Sequence, residues 1–421
     1  MEGFVIEGGT PLTGRVRVQG AKNAALPILA ATVLAAGTYE IHDVPQLTDI
    51  DAMCRILESL GAKVERVRHR VTVDTVGLNQ THIPDELMSR IRSSIFLMGP
   101  LLARLGKVTV SRPGGCAIGK RPINLHLKGL ACLGVDVVEE GDIIACSAPE
   151  LKGAEIALDF PSVGATENIM MAAVCAMGET VITNAAREPE IVDLAAFLNK
   201  MGAKVQGAGE STIVIQGVPK VQATNHSVMP DRIVAGTLII AAGATGGEVE
   251  LDNVVPEHLE SVIEPLRQTG LAIETAERGL RVKAERKLNG IPHIVTTPYP
   301  GFPTDMQPQM LALLTLCEGT SRVTEKIFDS RLKHVEELKK MGAEIRLVGD
   351  TVTVHGVRRL TGAHVCATDL RAGAALVIAA LNAQGRSLVA GVEHVDRGYE
   401  RLDEVIAQLG GQIHRVALKK Q

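Results

Sequence analysis

The stretch Arg112-Pro113-Gly114-Gly115-Cys116-Ala117-Ile118-Gly119-Lys120-Arg121-Pro122 gathers a thiol, three glycines and three cations in eleven residues. Positive charge beside a cysteine favours its thiolate, the form that attacks electrophiles, so Cys116 could be a reactive nucleophile near neutral pH. The plainer alternative is a small apolar residue filling a loop. Gly114 to Lys120 also fits the G-x-x-x-x-G-K of a phosphate-binding loop. Arg121, however, stands where that loop needs a Ser or Thr hydroxyl for magnesium, so a nucleotide hydrolase is excluded on that atom. Asp231, Asp305 and Asp369 each open an Ala- or Leu-rich run, the ordinary place of a helix N-cap. Asp305 differs because Pro298-Tyr299-Pro300-Gly301-Phe302-Pro303 leads into it, a stiff approach that could instead hold its carboxylate as a general base. Lys22, Arg371 and Arg397 interrupt Ala- or Gly-containing segments and could bind phosphate or carboxylate, or simply face water. The twelve histidines show no H-x-x-x-H pair joined to a carboxylate, so no metal centre is expected.

The elements that must position these residues show a sixfold repeat. A helix-like run ending in Gly, then an alternating strand, recurs at Gly61, Gly134, Gly202, Gly270, Gly342 and Gly410, spaced 68 to 73 residues apart. Each Gly reads as the left-handed residue just past a helix end, where an absent Cβ removes the steric cost. Upstream of each lies a second, apolar helix, starting near Lys22-Asn23, Arg92-Ser93-Ser94, Ser162-Val163-Gly164, Asp231, Asp305 and Asp369. One unit therefore reads as strand, helix, strand, helix and paired strands, and the polar stretch 225–230 divides six units into two halves of three. A closed, pseudo-threefold domain suits repeats longer than the ~20–50 residues of a solenoid. Helix N-termini gathered on one face would attract anions.

Composition removes several function classes. Across 421 residues, 44 Lys and Arg face 48 Asp and Glu for a net charge of −4, which leaves no basic footprint for nucleic acid. Aromatics make up 2% with no Trp, so a base-stacking platform is disfavoured. The apolar run Ala24 to Leu34 contains Pro27 and is too short to span a bilayer, and the acidic N-terminus lacks the features of a secretory signal. Seven cysteines without a C-x-x-C pair suit a reducing compartment, and the cytoplasm is the expected location. Cys54, Cys132, Cys175 and Cys317 fall in helical apolar patterns and are expected in the core.

Six segments together resemble one family from end to end: Gly20-Ala21-Lys22-Asn23-Ala24-Ala25-Leu26-Pro27, Arg112 to Gly119, Ser162-Val163-Gly164-Ala165-Thr166, Asn184-Ala185-Ala186-Arg187-Glu188-Pro189-Glu190, Phe302-Pro303-Thr304-Asp305-Met306-Gln307 and Asp369-Leu370-Arg371-Ala372-Gly373. The chain is similar to the UDP-N-acetylglucosamine 1-carboxyvinyltransferases, the enolpyruvyl transferases that begin bacterial peptidoglycan synthesis. The resemblance implies an α/β fold of two inside-out, barrel-like domains, each of three repeated units. The first would be residues 22–229 with the Cys116 loop, the second 1–21 plus 230–421, and the active site the cleft between them. It further implies transfer of the enolpyruvyl group of phosphoenolpyruvate to the 3′-hydroxyl of UDP-N-acetylglucosamine, with phosphate released through a tetrahedral ketal. Neither a metal nor an organic cofactor is implied, nor an obligate protein partner.

By the same resemblance Cys116 is the thiol that adds to phosphoenolpyruvate, donates a proton and is alkylated by fosfomycin. Lys22, Arg121 and Arg397 form its cationic cradle, Asp305 handles the sugar hydroxyl proton, and Asp369 and Arg371 lie near the reacting centre. Asn23, Arg92, Arg121, Pro122, Ile123, Asn124, Leu125, Ser162, Val163, Gly164 and Ile327 correspond to contacts with the UDP-sugar. Phe160-Pro161 departs from the pattern of those members that carry a Lys before the Ser. A shikimate-pathway enolpyruvyl transferase would share the fold, but Gly114-Gly115-Cys116 and Ser162-Val163-Gly164 favour the UDP-sugar enzyme. A scaffold of repeats would have no use for a thiol set between glycines.

Overall fold

All six repeat glycines sit in the left-handed region, with φ from 86° at Gly342 to 100° at Gly61 and Gly202. The computed structural model describes residues 2–112, 118–119, 122–277, 279–284 and 287–418. In it each glycine follows a helix: Thr48–Ser59, Asn124–Cys132, Pro189–Lys200, Glu260–Gln268, His334–Lys340 and Leu402–Gln408. The next N–H then reaches back five residues, as from Ala62 to the Leu57 carbonyl at 3.0 Å and from Ala203 to that of Leu198 at 3.0 Å. This pairs carbonyls that the helix end would otherwise leave bare. A strand leaves directly from the turn, such as Lys63–Val67 or Glu344–Val348.

The second helix of each unit is of another kind. In Arg232–Thr245 every residue but Thr245 is buried, and in Leu370–Asn382 burial runs unbroken from Arg371 to Leu381. Helices apolar all round belong inside a core, and these pack on one another together with Gln307–Leu314. The sheets form the outer wall, so the units are inside-out α/β structures. Capping defines where the inner helices begin. Ser162 Oγ accepts from Ala165 N–H, Asp231 from Ile233 and Val234, and Asp369 from Arg371 and Ala372.

Five four-stranded sheets and one of three strands are seen among the described residues. Each four-stranded sheet has a parallel edge strand and an otherwise antiparallel run. Glu155–Ala157, for example, lies parallel to Glu179–Thr183, which pairs antiparallel with Thr212–Gln216. In the three-stranded sheet of Lys107–Ser111, Ile143–Ser147 and Asp136–Glu140, a single parallel bridge from His82 to Thr109 takes the edge position. The chain's first strand, Glu2–Glu7, lies between Arg386–Ala390 and Gln412–Ala417, antiparallel to both. Thr13–Arg17 lies parallel to Glu248–Asp252. By its contacts the chain divides into two compact units, one of 2–19, 118–119 and 230–418, the other of 20–112 and 122–229. Each has its own hydrophobic core.

One core expectation fails. Cys54 and Cys317 are buried, but Cys132 is exposed. The inward stripe of Asn124–Cys132 runs through His126, Gly129 and Leu130, a spacing of three and four residues that leaves position 132 facing outward. Cys175 is half-buried.

Candidate active site

In the 230–418 unit, Asp305 departs from its two repeat-related aspartates. Asp231 and Asp369 each spend a carboxylate oxygen on first-turn amides. Asp305 lies within the short helix Thr304–Met306 and makes no such cap. Its Oδ1 accepts from Arg331 Nη2 at 2.9 Å, and its Oδ2 from Arg371 Nη2 at 3.0 Å and Nε at 3.2 Å. Both guanidiniums are 2% exposed, whereas the carboxylate is 27% exposed. It therefore presents an accessible edge while two buried cations hold it in place. Burial alone would lower the Arg371 pKa, but Tyr399, Asp305 and Asp231 outweigh it and raise the pKa, so the guanidinium stays charged. Among the described residues, buried Arg371 Nη1 and Arg331 Nε have no hydrogen-bond partner. A bare buried donor costs roughly 1–3 kcal/mol, so the site holds unused capacity for an acceptor.

The segment after the strand Thr320–Thr324 is tied down by Glu325. This buried carboxylate accepts from Thr296 Oγ1, Ile327 N–H and Phe328 N–H through Oε1, and from Thr304 Oγ1 through Oε2. It thereby fixes Ile327 and the residue preceding Asp305 together. Arg331 also lies over the Phe328 ring at 5.7 Å, and its carbonyl meets His334 Nδ1 at 3.1 Å. A carbonyl can only accept, so Nδ1 carries the proton. Burial drives the His334 pKa down to about 4, against the opposing pull of Asp369, so the ring is neutral at pH 7. Asp369 itself is a cap, with Thr368 Oγ1 at 3.4 Å from its second oxygen. Arg397 ends the short helix Val392–Arg397 and is half-buried.

The other unit collects the remaining expected residues. Lys22 opens Lys22–Ala31, where the helix dipole disfavours a cation. Asp49 offsets this with Oδ2 3.3 Å from Lys22 Nζ, both side chains being largely buried. Pro27 has no N–H to give to the Asn23 carbonyl, and the Asn23 side chain is exposed. Arg92 begins Arg92–Leu97, which packs against both Lys22–Ala31 and Val163–Ala173. Gly164 is packed so closely that a Cβ would come within 3.0 Å of the Phe96 ring and 3.2 Å of His126. This brings Arg92, Ile123, Asn124, Leu125, Ser162, Val163 and Gly164 into neighbouring segments. Pro122 and Asn124 are exposed, Ile123 is buried, and Leu125, Ser162 and Val163 are half-buried. Asn168 locks the junction: its amide donates to the Ile95 carbonyl and His126 Nδ1, and its carbonyl accepts from Gly99 N–H. Phe160 is 44% exposed, and the nearby Lys128 pairs with Asp159 at 2.8 Å. Cys116 and Arg121 lie outside the described residues. Burial pushes the Cys54 and Cys317 thiols up to about 12 and Cys146 to about 11, which makes these three poor nucleophiles.

The profile of the EPSP synthase (3-phosphoshikimate 1-carboxyvinyltransferase) family matches residues 6–406. The UDP-N-acetylglucosamine 1-carboxyvinyltransferase 2 of Carboxydothermus hydrogenoformans is 53% identical over 419 residues, 99% of this chain and 100% of that one. The corresponding enzyme 2 of Caldanaerobacter subterraneus subsp. tengcongensis is 51% identical over 413 residues, covering 98% and 99%. That of Geotalea uraniireducens is 49% identical over 416 residues, covering 99% and 100%. The chain belongs to the UDP-N-acetylglucosamine 1-carboxyvinyltransferase family. Among solved structures, the enolpyruvyl transferase NikO from Streptomyces tendae superposes with a TM-score of 0.89 at 23% identity over 99% of both chains. An EPSP synthase from Acinetobacter baumannii gives 0.77 at 22% identity, covering 99% and 100%. At those identities the likeness is one of fold. Within the family fold, sequence reasoning missed Asp49, Glu325, Arg331, His334 and Tyr399. All five act through tertiary contacts and no local spacing marks them. No helix among the described residues is long and apolar enough to cross a membrane.

Proposed function

We propose that this member of the family transfers the enolpyruvyl group of phosphoenolpyruvate to the 3′-hydroxyl of UDP-N-acetylglucosamine and releases phosphate. The observation that carries the reading is Asp305, an accessible carboxylate oriented by two buried guanidiniums instead of being spent on a helix cap. In the proposed reaction Asp305 takes the proton of the sugar hydroxyl as that oxygen attacks C2 of phosphoenolpyruvate. C3 gains a proton, for which Cys116 is the proposed donor, and a tetrahedral ketal forms. Loss of phosphate from C2 and of a proton from C3 then restores the double bond in the product. Lys22, Arg121 and Arg397 are proposed to cradle phosphoenolpyruvate, with Arg371 and Asp369 beside them. Asn23, Arg92, 121–125, 162–164 and Ile327 are proposed to hold the UDP-sugar. Two anionic substrates require such fixed cations in a dry site, where preorganised charge is most effective. The Asp305 arrangement suits this chemistry because two buried guanidiniums fix the orientation of a carboxylate that itself stays 27% exposed.

The test is phosphate release from phosphoenolpyruvate, measured in parallel with UDP-N-acetylglucosamine, with shikimate 3-phosphate and with ATP. Release with the UDP-sugar alone is expected. Release with shikimate 3-phosphate instead would move the chain to the other branch of the fold, and none with either would overturn the reading.

A further inference from the structure

Two separate routes from one side chain converge on Asp305. Tyr399 is 1% exposed, and its ring lies under the Arg371 guanidinium at 5.3 Å from centroid to Cζ. A guanidinium stacked on an aromatic face is held in plane, and the Nε–Nη2 edge of Arg371 then meets Asp305 Oδ2. That is the route to the carboxylate. The second route runs through the hydroxyl. Thr237 Oγ1 is 2.7 Å from the Ile233 carbonyl, to which it must donate, so the 3.0 Å contact between Thr237 and Tyr399 has the tyrosine as donor. Gln309 Nε2 donates to the Asp305 carbonyl at 2.9 Å and points its other hydrogen at the paired Tyr399 and Thr237 oxygens, each 3.1 Å away. Turning the amide over would set Gln309 Oε1 against that carbonyl, acceptor against acceptor, so its orientation is fixed. The second route therefore ends on the main chain of Asp305.

We propose that Tyr399 is the positioning residue of this site, orienting the Asp305 carboxylate through Arg371 and the Asp305 backbone through Gln309. Its place in the chain adds a third connection, because Arg397 lies two residues before it. The segment around both is pinned elsewhere: Gln19 accepts from Glu400 N–H at 2.8 Å, and Arg415 pairs with Asp396 at 2.7 and 2.8 Å. A shift of the Tyr399 ring thus cannot be absorbed by a mobile loop and passes to Arg371 and Gln309. Tyr399 touches no reacting atom in this scheme; it acts by holding the groups that do.

The inference rests on the proposed enolpyruvyl transfer and is tested on the full chain by phosphate release from phosphoenolpyruvate with UDP-N-acetylglucosamine. Tyr399→Phe keeps the ring under Arg371 and removes the hydroxyl, with its contacts to Gln309 and Thr237 and its polar interaction with Arg371. It is expected to lower kcat about tenfold, with KM for the UDP-sugar unchanged and the folded fraction at the assay temperature equal to that of the unaltered chain. Tyr399→Leu removes both routes and should lower kcat further, so that Phe ranks between Tyr and Leu. In a Gln309→Leu background, Tyr399→Phe should cost clearly less than in the unaltered chain, because part of the hydroxyl's effect passes through that amide. Unchanged kcat in Tyr399→Phe, or a full additive loss in the Gln309→Leu background, overturns the positioning role while the functional reading stands. Absence of phosphate release in the unaltered chain overturns both.

Discussion

Asp305 carries two jobs that a substitution separates. Asp305→Asn keeps the size of the side chain but removes the carboxylate that pairs with Arg331 and Arg371, each 2% exposed, a loss that costs about 3 kcal/mol where a buried pair is broken. The melting temperature should therefore fall, and below the new transition kcat should fall at least ~100-fold, the usual worth of a general base. Affinity for the UDP-sugar should change far less; a loss confined to affinity would remove Asp305 from proton transfer. For the proposed role of Cys116, fosfomycin should leave one adduct that peptide mapping places at that residue, since burial holds the Cys54, Cys146 and Cys317 thiols in their protonated form. Adducts at any of those three would contradict it. Glu167 makes a different prediction. Its carboxyl is 1% exposed with neither oxygen partnered, and burial, then the charges of Glu190 and Glu188, raise its pKa well above the ordinary value. The folded state then keeps a proton that the unfolded chain loses above its ordinary pKa of roughly 4, so this group lowers stability as pH rises from there toward its folded pKa. Glu167→Gln should raise the melting temperature at pH 8 and leave it nearly unchanged at pH 4. An equal change at both values would mean that ionisation is not involved.

The repeated joint between helix and strand is where glycine substitutions should divide into two classes. Gly202 has φ +100° and nothing within 4 Å of a built Cβ, so Gly202→Ala should cost only the backbone strain of a left-handed residue, about 1–2 kcal/mol. Gly164→Ala carries no such backbone strain, but its Cβ would press on Phe96 and His126. It should disturb the junction of Arg92–Leu97, Asn124–Cys132 and Val163–Ala173, and so weaken UDP-sugar binding with a smaller loss of stability. Chemical denaturation and KM measured on the two variants would check this, and the reverse ranking would refute it. The same contrast explains what was legible at this scale. Gly, Asp and Ser at helix ends are chosen by local backbone geometry and local amides, so the repeat and the inner helix starts can be read from the chain. Exposure of Cys132 was misread because an apolar run does not by itself say which side of its last turn faces the core.

The closing of the fold depends on residues far apart in the chain. Glu2–Glu7 pairs with strands beginning at Arg386 and Gln412, and it is an interior strand of its sheet. Deleting residues 2–8 should therefore remove pairing on both sides and abolish the cooperative unfolding of the 230–418 unit, with protection from hydrogen exchange lost first in 386–390 and 412–417. Retained protection there would show that those strands pair without it. The repeated element order, the two helix types, the family and the identities of Asp305, Arg371 and Lys22 as chemically capable groups are legible along the chain, because each depends on local periodicity, caps or a contiguous motif. Among the three aspartates that open inner helices, though, local pattern offered a cap for each, and for Asp305 a general base as the alternative. It takes the packed fold to separate them: Asp231 and Asp369 bind their own helix amides, while Asp305 turns to Arg331 and Arg371, 26 and 66 residues away. The reason is physical: a cap is a bond to the next turn of chain, whereas a carboxylate between two buried guanidiniums exists only once separate elements have packed and excluded the water that would otherwise solvate those two cations.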